Sequence, residues 1–337
     1  MTWLAWRQFR SQAVAAAIAI AALGALLLVT GQGLAGDYAD GLATCGQRCG
    51  DFKDTFVDDH QGQLLALTAV VLLVPALIGL FWGAPLIARE LDAGTHLLAW
   101  NQSVTRTRWL LVKLAVVGAG AVVSAGLVTW AVDWWSDPID DAMIDPRLPV
   151  PLMFAVRGVA PGAYALFAFV LGVTAGMLLR RPLPAMAVTL AVFAAVQVAM
   201  PTLVRPHLIP PVHATVVIAE GSVTDFMGSP GGPIQVSTLL ASDPHAWILS
   251  NQTVDSAGRA VDGVPKGAVP AAACEPQENG SLSRCFEAVT AAGYRQEVTY
   301  QPSGRFWALQ WLESGTYVAL SAGLVGFCFW WLRRRVV

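Results

Sequence analysis

Charge is the scarcest property of this sequence. Only 13% of its 337 residues are Asp, Glu, Lys or Arg, about half the share of an ordinary soluble domain. Three lysines stand against eighteen arginines. Cysteine is sparse, five in all. Neither a CxxC…CxxC pair nor HExxH occurs, so zinc has no ligand set to recognise. No Ser/His/Asp or Cys/His arrangement offers itself for nucleophilic catalysis. The stretch GRAVDG, Gly258 to Gly263, carries the two glycines of a phosphate loop but continues Val-Pro instead of Lys-Ser/Thr, which removes the phosphate ligand. Asn251-Gln252-Thr253 matches a glycosylation sequon and nothing more. His207, His213 and His245 read as surface histidines. Basic residues do not alternate with aromatics, so nucleic acid is excluded as a partner.

What the chain has is apolar length. Hydrophobic residues make up 55% of it, and several uncharged windows approach the ~20 residues that cross about 30 Å of hydrocarbon. Six spans follow, near Val14–Gly33, Leu64–Trp82, Leu111–Val132, Val159–Leu179, Leu183–Val204 and Glu313–Leu332. The first apolar run is too long for a secretory h-region and lacks a clear cleavage site, so it reads as a retained helix. MTWLAWRQFR ahead of it mixes Trp and Arg as a short interfacial helix does; a plain extension of the first span is the competing reading.

Orientation follows from the basic residues. With the N-terminus in the cytosol, that side holds Arg7, Arg10, Arg89, Arg106, Arg108, Lys113, Arg180, Arg181 and Arg333 to Arg335, offset by Glu90 and Asp92 alone. The other side keeps the acidic excess, and the opposite orientation would put the RR and RRR clusters outside. Twelve of the thirteen Trp, all but Trp247, fall near proposed span ends, the distribution of an aromatic belt.

The fold class is therefore an all-α polytopic membrane protein with six transmembrane helices and both termini in the cytosol. A small mixed α/β extracytoplasmic domain is inserted between spans five and six. The divisions are 1–33 (interfacial segment and first span), 34–63 (outer loop), 64–82 (second span), 83–110 (cytosolic loop) and 111–132 (third span). They continue as 133–158 (outer loop), 159–179 (fourth span), 180–182 (cytosolic turn), 183–204 (fifth span), 205–306 (outer domain) and 307–337 (sixth span and basic tail). The second outer loop, with DWWSDPIDDAMIDPRLPVP, reads as an irregular acidic turn. In the outer domain, HATVVIAE, PIQVSTLL and RQEVTYQP read as short strands and LSRCFEAVTAAG as a helix.

Four cysteines fall outside, Cys45 and Cys49 in the first loop and Cys274 and Cys285 in the last, while Cys328 lies alone in the sixth span. An oxidising compartment favours disulfides, with the two local pairs the natural choice. Four cysteines allow three pairings, and free or metal-bound thiols compete. Closing the Cys274–Cys285 loop contributes about 3 kcal/mol in the chain-entropy view.

Apart from Lys113, Arg157 and Glu313 at their edges, the spans hold no ionisable residue. Such groups at depth mark proton and ion relays, so ion-driven transport is disfavoured. Thr68, Thr129, Thr189 and Gln197 are candidate pathway residues, and helix packing is the competing role for each. A weakly polar path suits an amphiphilic or lipid-like cargo. Gly172 and Gly176 form a small-xxx-small pair for close packing within the chain or across a dimer. Pro75, Pro161 and Pro184 interrupt spans two, four and five.

Without an ion gradient or a nucleotide motif, energy has to come from a partner. The only internal cytosolic segment long enough to dock one is LIARELDAGTHLLAWNQSVTRTRW. It reads as a short surface helix, a break at Gly94-Thr95, then a third span capped by Ser103 or Thr105.

These residues resemble a known family. ARELDAGTHLLAWNQSVTRTRWLLVK looks like the cytosolic loop of type 2 ATP-binding-cassette (ABC) exporter permeases, with a RE…GT element after the second span and a Lys opening the third. The tail YQPSGRFWALQWLESGTYVAL, then WWLRRR, resembles a branch common in high-GC actinobacteria. The resemblance covers the six-span layout. It implies a bacterial plasma-membrane permease, not an enzyme, paired with a second copy or a sister permease among membrane lipid. Two separate ABC ATPase subunits would carry ATP and Mg, with no cofactor in this chain. By carry-over, Arg89, Glu90, Asp92, Gly94, Thr95 and His96 form the ATPase-coupling set, with Glu90 the leading contact; surface charge pairing with Arg89 is its competing role. The outer domain is longer than in plain members, which keeps open a non-transporting sensor or assembly complex whose outer domain binds an envelope ligand. A membrane-embedded enzyme is the remaining rival, and no nucleophile–base pair supports it.

Overall fold

The computed structural model describes residues 2–46, 48–94, 105–143, 150–219, 222–228, 233–238, 240–265, 267–274 and 282–334. The chain divides into two units. The first comprises Met1–Met143, Arg147–Arg205 and Ala308–Val337; the second comprises Ile144–Pro146 and Pro206–Trp307.

The first unit is helical. Its elements are α1 (Thr2–Thr44), α2 (Cys49–Ile78), α3 (Ala84–Asp92), α4 (Arg106–Ala142), α5 (Val150–Val156), α6 (Ala160–Leu179), α7 (Pro182–Ala199) and most of α10 (Phe306–Arg334), while the short α8 (Arg205–Leu208) belongs to it only through Arg205. Among the described residues six helices are long and apolar enough to cross a membrane, and the chain is a multi-pass membrane protein. The helices outrun the apolar windows. α1 has 43 residues, about 65 Å at 1.5 Å per residue. Hydropathy marks the part of a helix that matches hydrocarbon; backbone hydrogen bonding carries the helix on into polar sequence.

Three expectations change accordingly. α1 runs unbroken from Thr2, so the first ten residues extend the first helix. The stretch 34–63 consists mostly of helix ends, with Cys45 and Cys49 at disulfide distance closing the turn between α1 and α2. Tyr38 stacks on Phe52 across that hairpin, ring centroids 6.2 Å apart. The acidic run from Asp133 is helical to Ala142, because Ser136, Asp133 and Asp140 are tied to Arg157. Arg157 Nη1 donates to Asp133 at 3.1 Å and Nη2 to Asp140 at 2.9 Å.

Proline placement differs too. Pro161 and Pro184 lie in the first turns of α6 and α7, where a missing N–H costs nothing. Only Pro75 is internal to the second span, and a π-helical turn over Gly79–Gly83 follows it.

α6 is the hub. In its apolar window 83% of residues are buried, against 6% in the first span. In the buried set Phe9, Trp82, Trp109, Leu110, Phe169 and Val173, the first three spans gather around α6. Gly172 and Gly176 make the seam between α6 and the second span. A Cβ on Gly172 would lie 2.4 Å from Gly79 O, and one on Gly176 2.4 Å from Ala84 O. The small-xxx-small pair therefore packs within the chain.

The second unit is a small α/β domain. β1 (Val212–Val216), β4 (Trp247–Val254), β5 (Ala260–Val261) and β6 (Arg295–Gln301) form an antiparallel sheet in the order β1-β6-β4-β5. β2 (Val223–Gly228) and β3 (Ile234–Thr238) form a hairpin. α9 (Ser283–Ala291) carries Cys285, which lies at disulfide distance from Cys274. Ile218, Val236, Val264, Phe286 and Val289 are its apolar core.

Candidate coupling site

The RELD helix is an extension of the second span. α2 passes through the π turn into α3 without an interruption of helical backbone. Pro85 sits in the first turn of α3, and Ala84, Ile87 and Ala88 form its buried face. Small residues on that face let α3 lie against α6 at the Gly176 contact. The π turn loosens the backbone ladder, and Gln12 of α1 donates through Nε2 to the carbonyl of Phe81 at 3.1 Å. Phe9 meets Trp82 edge-on, centroids 4.8 Å apart.

Glu90 turns inward. Its carboxylate pairs with Lys113 Nζ, whose side chain is 5% exposed while that of Glu90 is 14% exposed. Lys113 also sits 4.7 Å over the Trp109 ring. The Glu90–Lys113 pair fixes α3 to the start of α4, and the Trp109 ring, on α4 itself, lies against the same cation. Thr105 caps α4, its side chain accepting from Arg108 N at 3.3 Å; Ser103, the other cap candidate, lies outside the described residues.

Arg89 and Asp92 are exposed. Phe9, Gln12, Pro85, Leu86, Arg89 and Glu90 line a cleft of about 190 Å³. Gly94 follows with φ +67°, a left-handed conformation that favours glycine. Thr95 and His96 lie outside the described residues. Of the proposed coupling set, the structure gathers Arg89, Glu90, Asp92 and Gly94 on and just after one short helix. It divides them into an inward anchor, Glu90, and two outward charges.

The candidate pathway residues do not converge. Thr129 and Thr189 return their hydroxyls to their own helices, to Ala125 O at 2.9 Å and Ala185 O at 2.7 Å. Thr68 is buried. Gln197 accepts from Tyr317 Oη at 2.6 Å. None of the four lines the apolar cavity of about 350 Å³ between the first three spans, where Ser124 supplies the one hydroxyl among the described residues.

A second polar centre was hidden in the sequence. Arg205, counted there with the insertion, is 1% exposed and bonds Glu313, 0% exposed, through Nε at 2.6 Å and Nη2 at 3.0 Å. Tyr164 Oη donates to the same carboxylate at 2.5 Å, and the guanidinium lies 4.3 Å over the Phe154 ring. Gln310 bridges nearby, accepting from Ala160 N at 2.9 Å and donating to Phe154 O at 2.9 Å. The network ties the fourth, fifth and sixth spans together. No local pattern joins Arg205 to a residue 108 positions later; only the rarity of charge beside apolar runs marked either one.

Six long apolar helices, one of them the buried hub of the bundle, define a multi-pass membrane protein. The particular kind follows from comparison. The sequence model of the family described as ABC-2 membrane transporter related matches residues 17–205, more than half of the chain, and the chain belongs to that family. The match ends at the residue where the insertion begins. Such membership makes the chain a membrane transporter permease and implies an ABC ATPase as partner in general. No curated protein and no solved structure matches the chain.

Proposed function

We propose that this protein is the transmembrane subunit of an ABC exporter, powered by separate ATPases that dock on the 83–110 segment. Both termini and α3 then face the cytosol of a bacterial cell, and the insertion faces outward. The basic residues at the span ends support that orientation. The Arg-rich, Lys-poor composition supports an actinobacterial-like branch. ATP and Mg belong to the partner, and two permease copies, or this chain and a sister, complete the complex.

The observation that carries the reading is the mechanical position of α3. It is one helix with the second span, seated on α6 by contacts too close for a side chain and pinned to α4 by Glu90–Lys113. Arg89 and Asp92 remain outward for a partner. A partner that binds α3 differently in its ATP-bound and free states shifts the bundle by that difference in affinity. Glu90 thus serves as the anchor that transmits the movement, and Arg89 and Asp92 as the docking contacts. The apolar cavity between the first three spans supports an amphiphilic, lipid-like or drug-like cargo.

A second reading, a non-transporting sensor, draws on the insertion, which has its own core. Purification from native membranes separates the two. An exporter co-purifies with an ATP-hydrolysing partner, loses it in Arg89→Glu/Asp92→Arg, and moves a fluorescent amphiphile across vesicles when ATP is added. Partner binding with no ATP-dependent movement of any amphiphile would favour the sensor.

A further inference from the structure

The insertion holds a polar groove of about 470 Å³ between β3 and the β4–β5 strands. Its walls present Gln235, Ser237, Ser250, Asn251, Gln252 and Thr253, with Asp262 at one side. Among the described residues no arginine, lysine or aromatic residue lines it. This lining supplies no cation to pair with a phosphate or other anion, and the Asp262 carboxylate disfavours one. It does offer amide and hydroxyl groups in both donor and acceptor roles.

The layer behind the groove is also polar, and it is incompletely paired. In the sheet register Thr253 faces Gln296 on β6, and Asn251 shares a face with Thr253 because side chains alternate along a strand. Two amides on that face reach across to β3 and occupy its carbonyls. Gln296 Nε2 donates to Val236 O and to Thr253 Oγ1, each at 2.8 Å, and Asn251 Nδ2 donates to Thr238 O at 2.8 Å. These bonds fix which end of each amide is oxygen. Among the described residues both oxygens, Asn251 Oδ1 and Gln296 Oε1, then lack a partner, as does Thr238 Oγ1. Gln296 is 0% and Thr238 1% exposed. Buried acceptors without donors are rare in native proteins and costly. Asn251 itself lines the groove, and Gln296 bonds two lining residues, Val236 and Thr253.

We propose that this groove binds a neutral, hydroxyl-rich glycan. Sugar hydroxyls donate to the side-chain oxygens of the exposed wall residues Gln235, Ser250 and Gln252 and accept from the amide N–H groups of Gln235 and Gln252. An extended peptide fits less well, because the β3 carbonyls it would need, Val236 O and Thr238 O, are already taken by side-chain amides. The proposal deepens the role of the insertion and does not depend on whether the membrane unit transports.

The test uses the full chain in nanodiscs and saturation-transfer NMR, with maltotetraose and the N-acetylglucosamine tetramer as neutral glycans. Tetra-alanine and a sulfated tetrasaccharide serve as comparators. Binding of at least one neutral glycan, weakened ten-fold or more in Gln235→Ala/Gln252→Ala, is the expected result. Both substituted residues are exposed, so the thermal midpoint should stay at the wild-type value. Asn251→Leu provides a second variant and should abolish the signal. No glycan binding, binding unchanged by the double variant, or preferential binding of the peptide or the sulfated sugar overturns the proposal. A failure of transport leaves it standing, and a failure here leaves the permease reading standing.

Discussion

Replacing Lys113 with Met tests how α3 is held. The variant keeps the side-chain length and removes the cation. In the wild type Lys113 is 4% exposed, so its charge is compensated by Glu90 and the Trp109 ring instead of by water. Without it, the Glu90 carboxylate sits at 14% side-chain exposure facing a methionine. Breaking a buried pair in this way costs about 3–5 kcal/mol; the partial exposure of Glu90 places this site near the lower figure. Glu90→Gln strands the Lys113 ammonium instead, with the Trp109 ring returning ~1 kcal/mol through cation–π attraction. The double variant removes both charges and should cost less than the sum, giving a coupling energy of about 1–3 kcal/mol. The assay is unfolding of the detergent-solubilised chain by graded SDS, for wild type, both singles and the double. A coupling below about 0.5 kcal/mol, the additivity seen between independent sites, would refute the anchor.

Three further outcomes follow from the same geometry. Gly176→Ala places a methyl 2.4 Å from the Ala84 carbonyl, a backbone atom that cannot swing aside, and should destabilise the bundle by about 1–3 kcal/mol. Gly126→Ala, with open space at its Cβ, should be neutral in the same SDS titration, and equal effects would remove the seam. Glu313→Gln should cost about 3–5 kcal/mol by stranding Arg205, while Arg205→Met/Glu313→Leu should recover most of it; a double variant no better than the single contradicts the pairing. In the insertion, Asp255 accepts from the backbone N–H of Arg259 and of Ala257. The Arg259 bond chiefly holds its carboxyl below the ordinary value. A depressed folded value means that the stabilisation is complete above the unfolded Asp range, near pH 4, and is lost as pH falls through the folded value. Amide exchange at Arg259, corrected for intrinsic rates, should rise over that acid window and become pH-independent in Asp255→Asn; a flat wild-type profile contradicts it.

Much of the membrane unit was legible in the sequence because its signals are one-dimensional. Apolar length marks a span wherever it falls, and six runs correspond to six helices. The third span's cap, Thr105, was readable for the same reason, since capping is local. The insertion was read in part: β1, β3, β6 and α9 came from alternation and turn residues, but β2, β5 and the longest strand, β4, did not. For β4 the reason is visible. Its sequence WILSNQTV lacks clean alternation because its Asn251 and Thr253 face a polar layer instead of an apolar core. The ends of α1, α2 and α4 ran past expectation, since hydropathy reports immersion and not hydrogen bonding.

The candidate site shows the same divide. The RELD helix was visible in the sequence, while the inward turn of Glu90 depends on Lys113, which lies 23 residues away on another helix. Arg205 and Glu313 stood as isolated edge charges until the fold joined them. Long-range pairing leaves no periodic trace, so neither buried ion pair could be read from spacing. Thr129 and Thr189 return their hydroxyls to their own helices, a local bond that any Thr in a span can make and that spacing alone does not reveal.

The most direct test of the central claim is a contact measurement on the outward face of α3. A photo-crosslinking residue in place of Asp92 is installed in the full chain and activated in native membranes, with the same probe in place of Trp130 on the exposed surface of α4 as control. The account predicts an adduct from position 92 to an ABC ATPase, with a yield that changes when ATP is added, and none from position 130. A folded chain that gives no ATPase adduct from position 92 while the ATPase co-purifies would contradict α3 as the docking element.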